Sequence, residues 1–324
     1  MKLFGITMGD PCGIGPEIIL KAFKRKPELI ENCIVLGSVE LLSYYNEKLG
    51  TGYNINKIEN LKDFKKGDVN VLDPHPIDLD EITIGQVSAI GGRCAFMYIK
   101  SAIELALEKK ITSVVTAPIN KEALHIAGYN YAGHTEIFAE FTQGASYAML
   151  LLSDRLKVIH ASTHISLKKA CESISKQRTM EVIRLAHETL EKVGYKNPRI
   201  AVAGLNPHAG ENGLFGDEEI EHITPGILAC QAEGINVTGP IAPDTVFLRA
   251  YKGEFDVVVA QYHDQGHIPV KLLAFDSGVN ITVGLDVIRT SVDHGTAFDI
   301  AGKMVANEES MLKAIEIAKM LSEG

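Results

Sequence analysis

A chain of 324 residues, 46% hydrophobic and 23% charged, is long enough to fold into two lobes. Its net charge of −9, without a basic run, argues against nucleic acid, and no apolar run approaches the ~20 residues of a membrane helix. We expect a cytoplasmic protein, since no signal segment opens the chain. The five cysteines include no Cys-x-x-Cys pair, so they indicate neither disulfides nor a thiolate zinc site.

The first predicted strand, Leu3 to Met8, leads through a glycine-rich turn into a helix over Ile18 to Phe23. In this turn Gly13 and Gly15 precede Pro16, so backbone N–H groups at a positive helix end are suited to an anion. The spacing matches neither the Gly-x-Gly-x-x-Gly dinucleotide fingerprint nor a P-loop. A tight turn that binds no ligand explains the pattern equally well.

Strand and helix signals then alternate along the N-terminal half. Strands are predicted at Cys33–Gly37 and Ser113–Thr116, helices at Ser38–Leu49 and Ala89–Lys109, and short strands and turns over Asn54–Asp80. A further helix opens at Gly133-His134-Thr135-Glu136. His134 is either a surface residue or, with the Thr135 hydroxyl, a seat for a phosphate at the helix N-terminus.

The central region continues this alternation. Adjacent strands are predicted at Tyr147–Leu152 and Leu156–Ala161, a helix at Ser175–Gly194, and buried strands at Arg199–Ala203 and Asp256–Ala260. The alternation of strands and helices predicts an α/β fold with a largely parallel sheet.

A histidine follows three of these strands: His164, His208 and His263. Each would lie at the carboxyl edge of the sheet, where α/β folds bind ligands. One such histidine is usually structural, but three imidazoles with an open fourth position suit a catalytic divalent metal. His263 also lies in a segment rich in polar groups, Gln261 to Lys271. Alternatively, the histidine and aspartate of this segment do no more than cap the next helix.

Several motifs together resemble the 4-hydroxythreonine-4-phosphate dehydrogenases of pyridoxal phosphate synthesis. They are Thr7–Pro11, Gly15–Glu17, Gly133–Glu136, Gly204–Glu211, Pro243–Thr245, Tyr262–Gly266 and Ile288–Thr296. The resemblance implies an isocitrate/isopropylmalate dehydrogenase-like fold, NAD, a divalent metal (zinc, magnesium or cobalt) and a homodimer. It also implies metal ligands at His164, His208 and His263, and substrate contacts at His134, Thr135, Lys271, Asn280 and Arg289.

A more distant resemblance concerns the cofactor. Asp293 to Lys303, with Ala306 and Asn307, is similar to the adenosine-binding loop of isopropylmalate dehydrogenases. It implies a cofactor site formed by Gly13, Gly15, His294, Gly295, Thr296, Ala297, Asp299 and Asn307. The Asp299 carboxylate would accept from the ribose hydroxyls and repel a 2′-phosphate, which favours NAD over NADP. Those dehydrogenases hold their metal with aspartates, so the chemistry of their active site cannot be carried over to this chain in full.

The expected reaction is NAD-dependent oxidation and decarboxylation of 4-phosphooxy-L-threonine to 3-amino-2-oxopropyl phosphate. The metal would lower the pKa of the secondary hydroxyl and then polarise the new carbonyl. Asp244 and Asp264 are candidates for proton relay, for orienting the metal ligands, or simply for capping turns. A nearer alternative is a dehydrogenase of D-threonate or D-erythronate 4-phosphate. Two other classes are a metal-dependent hydrolase or aldolase without nicotinamide, and a non-catalytic phosphometabolite-binding protein.

The expected lobes take chain segments from both ends. Residues 1–130 and 275–324 would form an outer lobe with the cofactor-binding loops. Residues 131–274 would form an inner lobe with the metal ligands and the dimer contacts, and a cleft would lie between the two.

Overall fold

The computed structural model describes residues 2–142, 146–274 and 278–323. The chain divides into two compact units, Met1–Gly144 with Leu285–Ser322, and Ala145–Gly284 with Glu323–Gly324. The first boundary lies beyond the expected one at residue 130, and residue 275, the other expected boundary, lies outside the described residues. His134 and Thr135 therefore belong to the same unit as Arg289, whereas Asn280 belongs to the second unit.

The described strands are short and mostly buried. They are β1 (Phe4–Thr7), β2 (Cys33–Leu36), β3 (Ile55–Ile58), β4 (Val69–Leu72), β5 (Ser113–Thr116), β6 (Ala148–Leu152), β7 (Lys157–His160), β8 (Ile200–Ala203), β9 (Val237–Ile241), β10 (Val257–Ala260), β11 (Val279–Val283) and β12 (Arg289–Val292). Runs of β-branched residues, such as the three valines of β10, explain why these segments are extended and buried on both faces.

The helices connect and cover these strands. They are α1 (Gly15–Arg25), α2 (Val39–Leu49), α3 (Ala89–Leu107), α4 (Lys121–Ile126), α5 (His134–Thr142), α6 (Leu167–Glu172), α7 (Lys176–Lys192), α8 (Thr224–Ala232), α9 (Pro243–Tyr251), α10 (His263–Ala274) and α11 (Glu309–Glu323). Serine side chains cap the longer ones: Ser38 accepts from the Leu41 N–H at 3.2 Å and Ser88 from the Gly91 N–H at 3.1 Å. Among the described residues, no helix is long and apolar enough to span a bilayer.

The sheet is largely parallel, as the sequence predicts. In the first unit the strand order is β3-β4-β2-β1-β5-β12, and every pair is parallel. In the second unit the order is β11-β6-β7-β10-β8-β9, where only β6 runs antiparallel to its neighbours. Because β7, β8 and β10 are parallel, their carboxyl ends meet at one edge, and each is followed by a candidate metal histidine.

Three hydrogen bonds of glutamine side chains fix that edge of the second unit. The Gln261 side chain donates to the Ala203 carbonyl, and the Gln265 side chain donates to the Gly204 carbonyl, each at 2.8 Å. The Gln265 oxygen accepts from the Gln261 backbone N–H at 2.7 Å. The start of α10, with His263, is thereby tied to the end of β8.

Candidate active site

The first unit contains a buried cation beside two hydroxyls. Arg289, on β12, is 2% exposed. Its Nη2 and Nε donate to Thr116 Oγ1 at 3.1 and 3.3 Å, and its Nη1 donates to Thr135 Oγ1 at 3.4 Å. The guanidinium also lies over the Phe138 ring, 5.6 Å from its centre. Burial lowers the pKa of Arg289, because desolvation disfavours the charged guanidinium, and a bound anion would offset that cost.

His134 adds a neutral imidazole to this cluster at the first residue of α5. Burial of the ring, and then the positive charge of Arg289, hold the pKa of His134 well below its usual value. Its Nε2 atom is buried and has no hydrogen-bond partner among the residues that the structure describes. A helix N-terminus with a guanidinium, a hydroxyl and an unsatisfied ring nitrogen is suited to a phosphate group.

The other two predicted substrate residues lie in the second unit. Lys271 is half-buried on α10, and Asn280 is half-buried on β11. The Asn280 Oδ1 atom is buried without a hydrogen-bond partner in the described part of the chain. An unsatisfied buried amide oxygen is costly, which is typical of a position that a ligand completes.

Two of the three predicted metal ligands form a pair. The ring centres of His164 and His263 are 5.7 Å apart, and both residues line a cavity of about 310 Å³ with Tyr262 and Asp264. The Asp264 carboxylate accepts a hydrogen bond from His263 Nδ1 at 2.7 Å. This bond places the ring proton on Nδ1 and leaves Nε2 as the metal-donating atom.

His208, the third predicted ligand, lies on a loop of unusual backbone conformation. Residues His208 to Asn212 all have left-handed backbone angles, and the His208 ring lies 6.0 Å from the Phe215 ring. Within the described ranges, no three His, Cys, Asp or Glu side chains are grouped so that they could hold a metal ion. The donor chemistry of the His164–His263 pair suits a first-row divalent ion, but the predicted third ligand is not gathered with it.

Two further histidines, His160 and His267, lie behind His263, and the sequence did not predict that the three would group together. The His267 ring stacks on the His263 ring with centres 3.7 Å apart, and its Nδ1 lies 3.1 Å from both His160 Nε2 and the His263 carbonyl. Burial lowers the pKa of His160 to about 3 and that of His267 to about 4. The i,i+4 spacing of His263 and His267 was the available signal, but it needed a helix that begins at His263.

Asp244 lies in the first turn of α9 and is exposed. It lines a second, mostly apolar cavity of about 420 Å³, together with Phe247, Tyr262, Asp264 and Leu272. The two predicted catalytic carboxylates therefore border the same cavity.

The predicted cofactor loops of the first unit pack against each other. The Ile14 N–H donates to the Thr296 carbonyl at 3.1 Å. A Cβ atom on Gly13 would lie 3.0 Å from that carbonyl oxygen, and one on Gly15 would lie 2.0 Å from the Met8 oxygen. Gly15 is therefore required by packing alone, whether or not a ligand binds there, while a side chain at Gly13 would need Thr296 to shift slightly.

The remaining predicted cofactor residues differ in exposure. Gly295, Asp299 and Asn307 are exposed, His294 and Ala297 are half-buried, and Thr296 is buried. Ala297 has a left-handed backbone, with φ at 44°, and its carbonyl accepts from the Ile300 N–H at 3.0 Å. Asn307 Oδ1 accepts from the Glu309 N–H at 2.8 Å, so this side chain caps the start of α11.

An ion pair on α1 holds the end of the cofactor loop. Lys21 Nζ donates to Glu17 Oε1 at 2.7 Å, to the Met304 carbonyl at 3.0 Å and to the Ala306 carbonyl at 2.8 Å. Glu17 Oε1 also accepts from the Ala306 N–H at 2.8 Å. Glu17 is fully buried and Lys21 partly exposed, and their ion pair ties α1 to the loop at Met304 and Ala306.

The chain is similar to proteins of one family along its whole length. The model of the pyridoxal phosphate biosynthetic protein PdxA matches residues 29–318. A D-threonate 4-phosphate dehydrogenase of Salmonella typhimurium is 50% identical over 324 residues, with 99% of each chain covered. A 4-hydroxythreonine-4-phosphate dehydrogenase of Beijerinckia indica is 49% identical over 318 residues, covering 98% of this chain and 94% of the relative.

Solved structures agree with this assignment. The crystal structure of a 4-hydroxythreonine-4-phosphate dehydrogenase from Klebsiella pneumoniae is 48% identical, with a TM-score of 0.87, covering 100% of this chain and 98% of that one. An isocitrate dehydrogenase from Methylococcus capsulatus, 15% identical, has a TM-score of 0.51 and covers 100% of this chain and 85% of that one. The second likeness concerns the fold alone, and it confirms the predicted isocitrate dehydrogenase-like fold.

Proposed function

This chain belongs to the PdxA family, and on that premise we propose that it is an NAD-dependent dehydrogenase of a phosphorylated four-carbon acid. The observation that carries the proposal is the buried Arg289 guanidinium beside Thr135 and His134 at the N-terminus of α5. A doubly charged phosphate needs such a site in a chain whose net charge is −9. A hydrolase or aldolase without nicotinamide is disfavoured, because the relatives named above are dehydrogenases.

The first candidate substrate is D-threonate 4-phosphate, after which the Salmonella relative is named. Oxidation of its C3 hydroxyl gives a β-keto acid, and loss of carbon dioxide then leaves dihydroxyacetone phosphate. The second candidate is 4-phosphooxy-L-threonine, which the sequence argument places first and which the Beijerinckia relative supports. D-Erythronate 4-phosphate differs from the first candidate only in stereochemistry and belongs in the same comparison.

Substrate binding is assigned first to residues of the first unit that can hold the phosphate, which are Arg289, Thr135 and His134. By resemblance to the family, Lys271 and Asn280 of the second unit are proposed as further substrate contacts. Binding energy from the phosphate, which does not react, would orient the hydroxyl-bearing carbon for hydride transfer. The low pKa of His134 keeps this imidazole neutral near pH 7, so it adds no second positive charge beside Arg289.

His164 and His263, with His208, are the residues that would hold a divalent ion such as zinc, magnesium or cobalt. When bound, the ion supplies Lewis acidity that favours ionisation of the alcohol and stabilises enolate charge. The Asp264 carboxylate holds the proton of His263 on Nδ1 and so fixes the orientation of the ring. Asp244 is exposed on the 420 Å³ cavity that Asp264 also lines, and among the described residues no histidine is hydrogen-bonded to it. Asp244 is therefore the better candidate to take the proton of the substrate hydroxyl.

NAD is assigned to the glycine turn at Gly13 and Gly15 and to the loop from His294 to Asn307. Asp299 is exposed there and can accept from the ribose hydroxyls, while its charge would repel the 2′-phosphate of NADP. The loop is held against the glycine turn by the Ile14–Thr296 backbone bond, which would keep the two parts of the site together.

We further propose a cytoplasmic homodimer that pairs through the second unit. That unit exposes large apolar side chains on neighbouring segments: Leu214 is 72% exposed, Leu248 54%, Ile268 57% and Leu272 81%. Clusters of this kind usually mark a protein interface.

The test is a panel of D-threonate, D-erythronate and hydroxythreonine 4-phosphates, each with NAD and one divalent metal, followed by the absorbance of reduced cofactor. We expect turnover of at least one phosphorylated acid and far weaker turnover of its dephosphorylated form. No reduction of NAD with any member, under each of zinc, magnesium and cobalt, would contradict the proposal.

A further inference from the structure

We propose that Glu219 is a positioning residue that fixes the loop carrying His208. The proposal rests on the proposed function, because the position of His208 has a catalytic consequence only if this histidine binds the metal. Glu219 is 2% exposed and opens a π-helical turn, Glu219–Ile223, eleven residues beyond the histidine. Turns of this type are often found at functional sites.

The His208 loop has a backbone that ordinary residues avoid. His208, Ala209, Glu211 and Asn212 have φ between 44° and 57°, and Gly210 between them has φ of 80°. Successive left-handed residues are unfavourable for side chains other than glycine, so surrounding contacts must impose the conformation. The loop itself supplies three such contacts: the N–H groups of Ala209, Leu214 and Phe215 donate to the carbonyls of Asn206, Glu211 and Gly210, respectively.

Glu219 supplies the contacts at the entrance to this loop. Its Oε1 accepts from the backbone N–H groups of Leu205 at 2.7 Å and Asn206 at 2.8 Å. Its Oε2 accepts from the Asn206 side-chain amide at 2.9 Å, and Glu218 accepts from the same amide at 2.7 Å. A carboxylate that accepts three hydrogen bonds fixes the backbone immediately before Pro207 and His208.

The glycines around the loop show how closely the carboxylate is enclosed. A Cβ atom on Gly204 would lie 3.0 Å from Glu219 Oε1, and one on Gly210 would lie 2.8 Å from Oε2. The carboxylate therefore contacts both the entrance of the loop and its centre. No other side chain in the described ranges bonds to both the Leu205 and Asn206 N–H groups, so the direction in which the chain leaves β8 depends on Glu219.

Glu219→Gln tests the proposal, because it keeps the size of the side chain but replaces one acceptor oxygen by an amide that cannot accept. Zinc affinity of the purified full-length chain is measured by chelator competition, alongside His208→Ala. We expect Glu219→Gln to weaken zinc binding about 10- to 100-fold, as for other residues that orient a metal ligand. Glu221→Gln, an exposed carboxylate in the same turn, is the matched control and should bind zinc like the parent.

A second measurement needs no metal. Chymotrypsin can cut the metal-free chain after Leu214 or Phe215, both exposed, and loosening of the loop in Glu219→Gln should speed this cleavage. If Glu219→Gln does not fold, Glu219→Asp, which keeps the charge on a shorter stem, takes its place and should show a smaller loss of zinc affinity.

The outcomes separate the two proposals. Zinc binding lost in His208→Ala but unchanged in Glu219→Gln would leave the metal assignment standing and overturn the role of Glu219. Faster cleavage with unchanged zinc affinity would also overturn it, since the residue would then be structural only. Unchanged zinc affinity in His208→Ala would overturn the metal assignment and the role of Glu219 together.

Discussion

Single buried charges and imidazoles distinguish this chain from an ordinary α/β protein. Arg289 and His134 are desolvated in the first unit, and His160 and His267 in the second. Each of these pKa values is lowered chiefly by burial, which disfavours the charged form. A fold keeps such groups in its interior at a cost in stability, so a functional role for them is the economical explanation.

Arg289→Lys tests phosphate recognition, because it keeps a positive charge but loses the planar fork that meets two oxygens. We expect kcat/KM for the phosphorylated substrate to fall roughly 10- to 100-fold, the equivalent of one charge-assisted hydrogen bond. NAD affinity should be unchanged. An equal proportional loss on phosphorylated and dephosphorylated substrate would show that Arg289 does not recognise the phosphate.

The buried His160 ring should make the free energy of unfolding depend on pH. Its pKa is about 3 in the folded chain against 6.5 for an ordinary histidine, so unfolding takes up a proton between these values. The free energy of unfolding should therefore fall as pH falls below 6.5, by about 1.4 kcal/mol per pH unit for this one group. Urea unfolding at pH 7, 6 and 5 measures the slope. In His160→Gln the slope should shrink by one proton, and an identical slope would count against the burial argument.

At the scale of elements, close backbone approaches fix how helices and loops pack. The Glu17–Lys21 pair of α1 binds the loop at Met304 and Ala306, and Gly92 lets α3 approach α4. Both devices lie in the first unit, which also contains the predicted cofactor loops. Packing of these elements and placement of the predicted cofactor loops therefore depend on the same few residues.

Lys21→Met should weaken NAD binding more than substrate binding. The change leaves Glu17 buried without its cation and frees the carbonyls of Met304 and Ala306. Breaking such a pair typically costs about 3 kcal/mol of stability, and we expect KM for NAD to rise while kcat changes little. Lys24→Met, an exposed lysine on the same helix, is the control. An unchanged KM for NAD would mean that the pair does not order the loop.

Gly92→Ala should destabilise the protein even though alanine favours helices. A Cβ atom at this position would lie 2.0 Å from the Ala123 carbonyl oxygen at the start of α4, so backbone must move. Overpacking of this kind costs about 2 kcal/mol. Gly295→Ala, where a Cβ would have nothing within 4 Å, is the matched control for thermal unfolding. A stabilised Gly92→Ala would show that α3 and α4 can separate freely.

At the scale of the whole molecule, most of the exposed large apolar side chains in the described residues belong to the second unit. The same unit buries a well-formed core, which includes Val158, Ala201, Val246, Val258 and Val270, so the exposed residues are not needed to complete it. Their exposure is more consistent with association than with poor folding.

Leu272→Glu should therefore dissociate the proposed dimer without unfolding the chain. The side chain is 81% exposed, so a carboxylate costs little in an isolated protomer but would be buried in an apolar interface. Light scattering after size exclusion should show a parent dimer and a variant monomer at micromolar concentration. Ile126→Glu, which changes an exposed residue of the first unit, should leave the dimer intact. A Leu272→Glu variant that dimerises like the parent would place the interface elsewhere.

The sequence by itself determined the fold class, the long amphipathic helices and the buried strands, because these depend on local apolar periodicity. The predicted Ser175–Gly194 and Ala89–Lys109 helices are confirmed as α7 and α3; α7 is slightly shorter at both ends and α3 only at its C-terminal end. The short helices α4 and α6, of six residues each, were not predicted, because a helix of so few turns is too short to show a reliable apolar periodicity. Among the described strands, β12 was also missed, although its first residue is Arg289.

Only the tertiary structure decided which candidate residues meet. The sequence placed His164, His208 and His263 alike after strands, yet in the described residues His164 and His263 pair and no third side chain is grouped with them as a metal ligand. The i,i+4 spacing of His263 and His267 predicts their stacking only once a helix is known to begin at His263, and nothing local signalled that His160 would lie behind them or that Glu219 would hold the entrance to the His208 loop. Such contacts join residues far apart in the chain, and their geometry depends on backbone angles and strand register that composition and spacing do not encode.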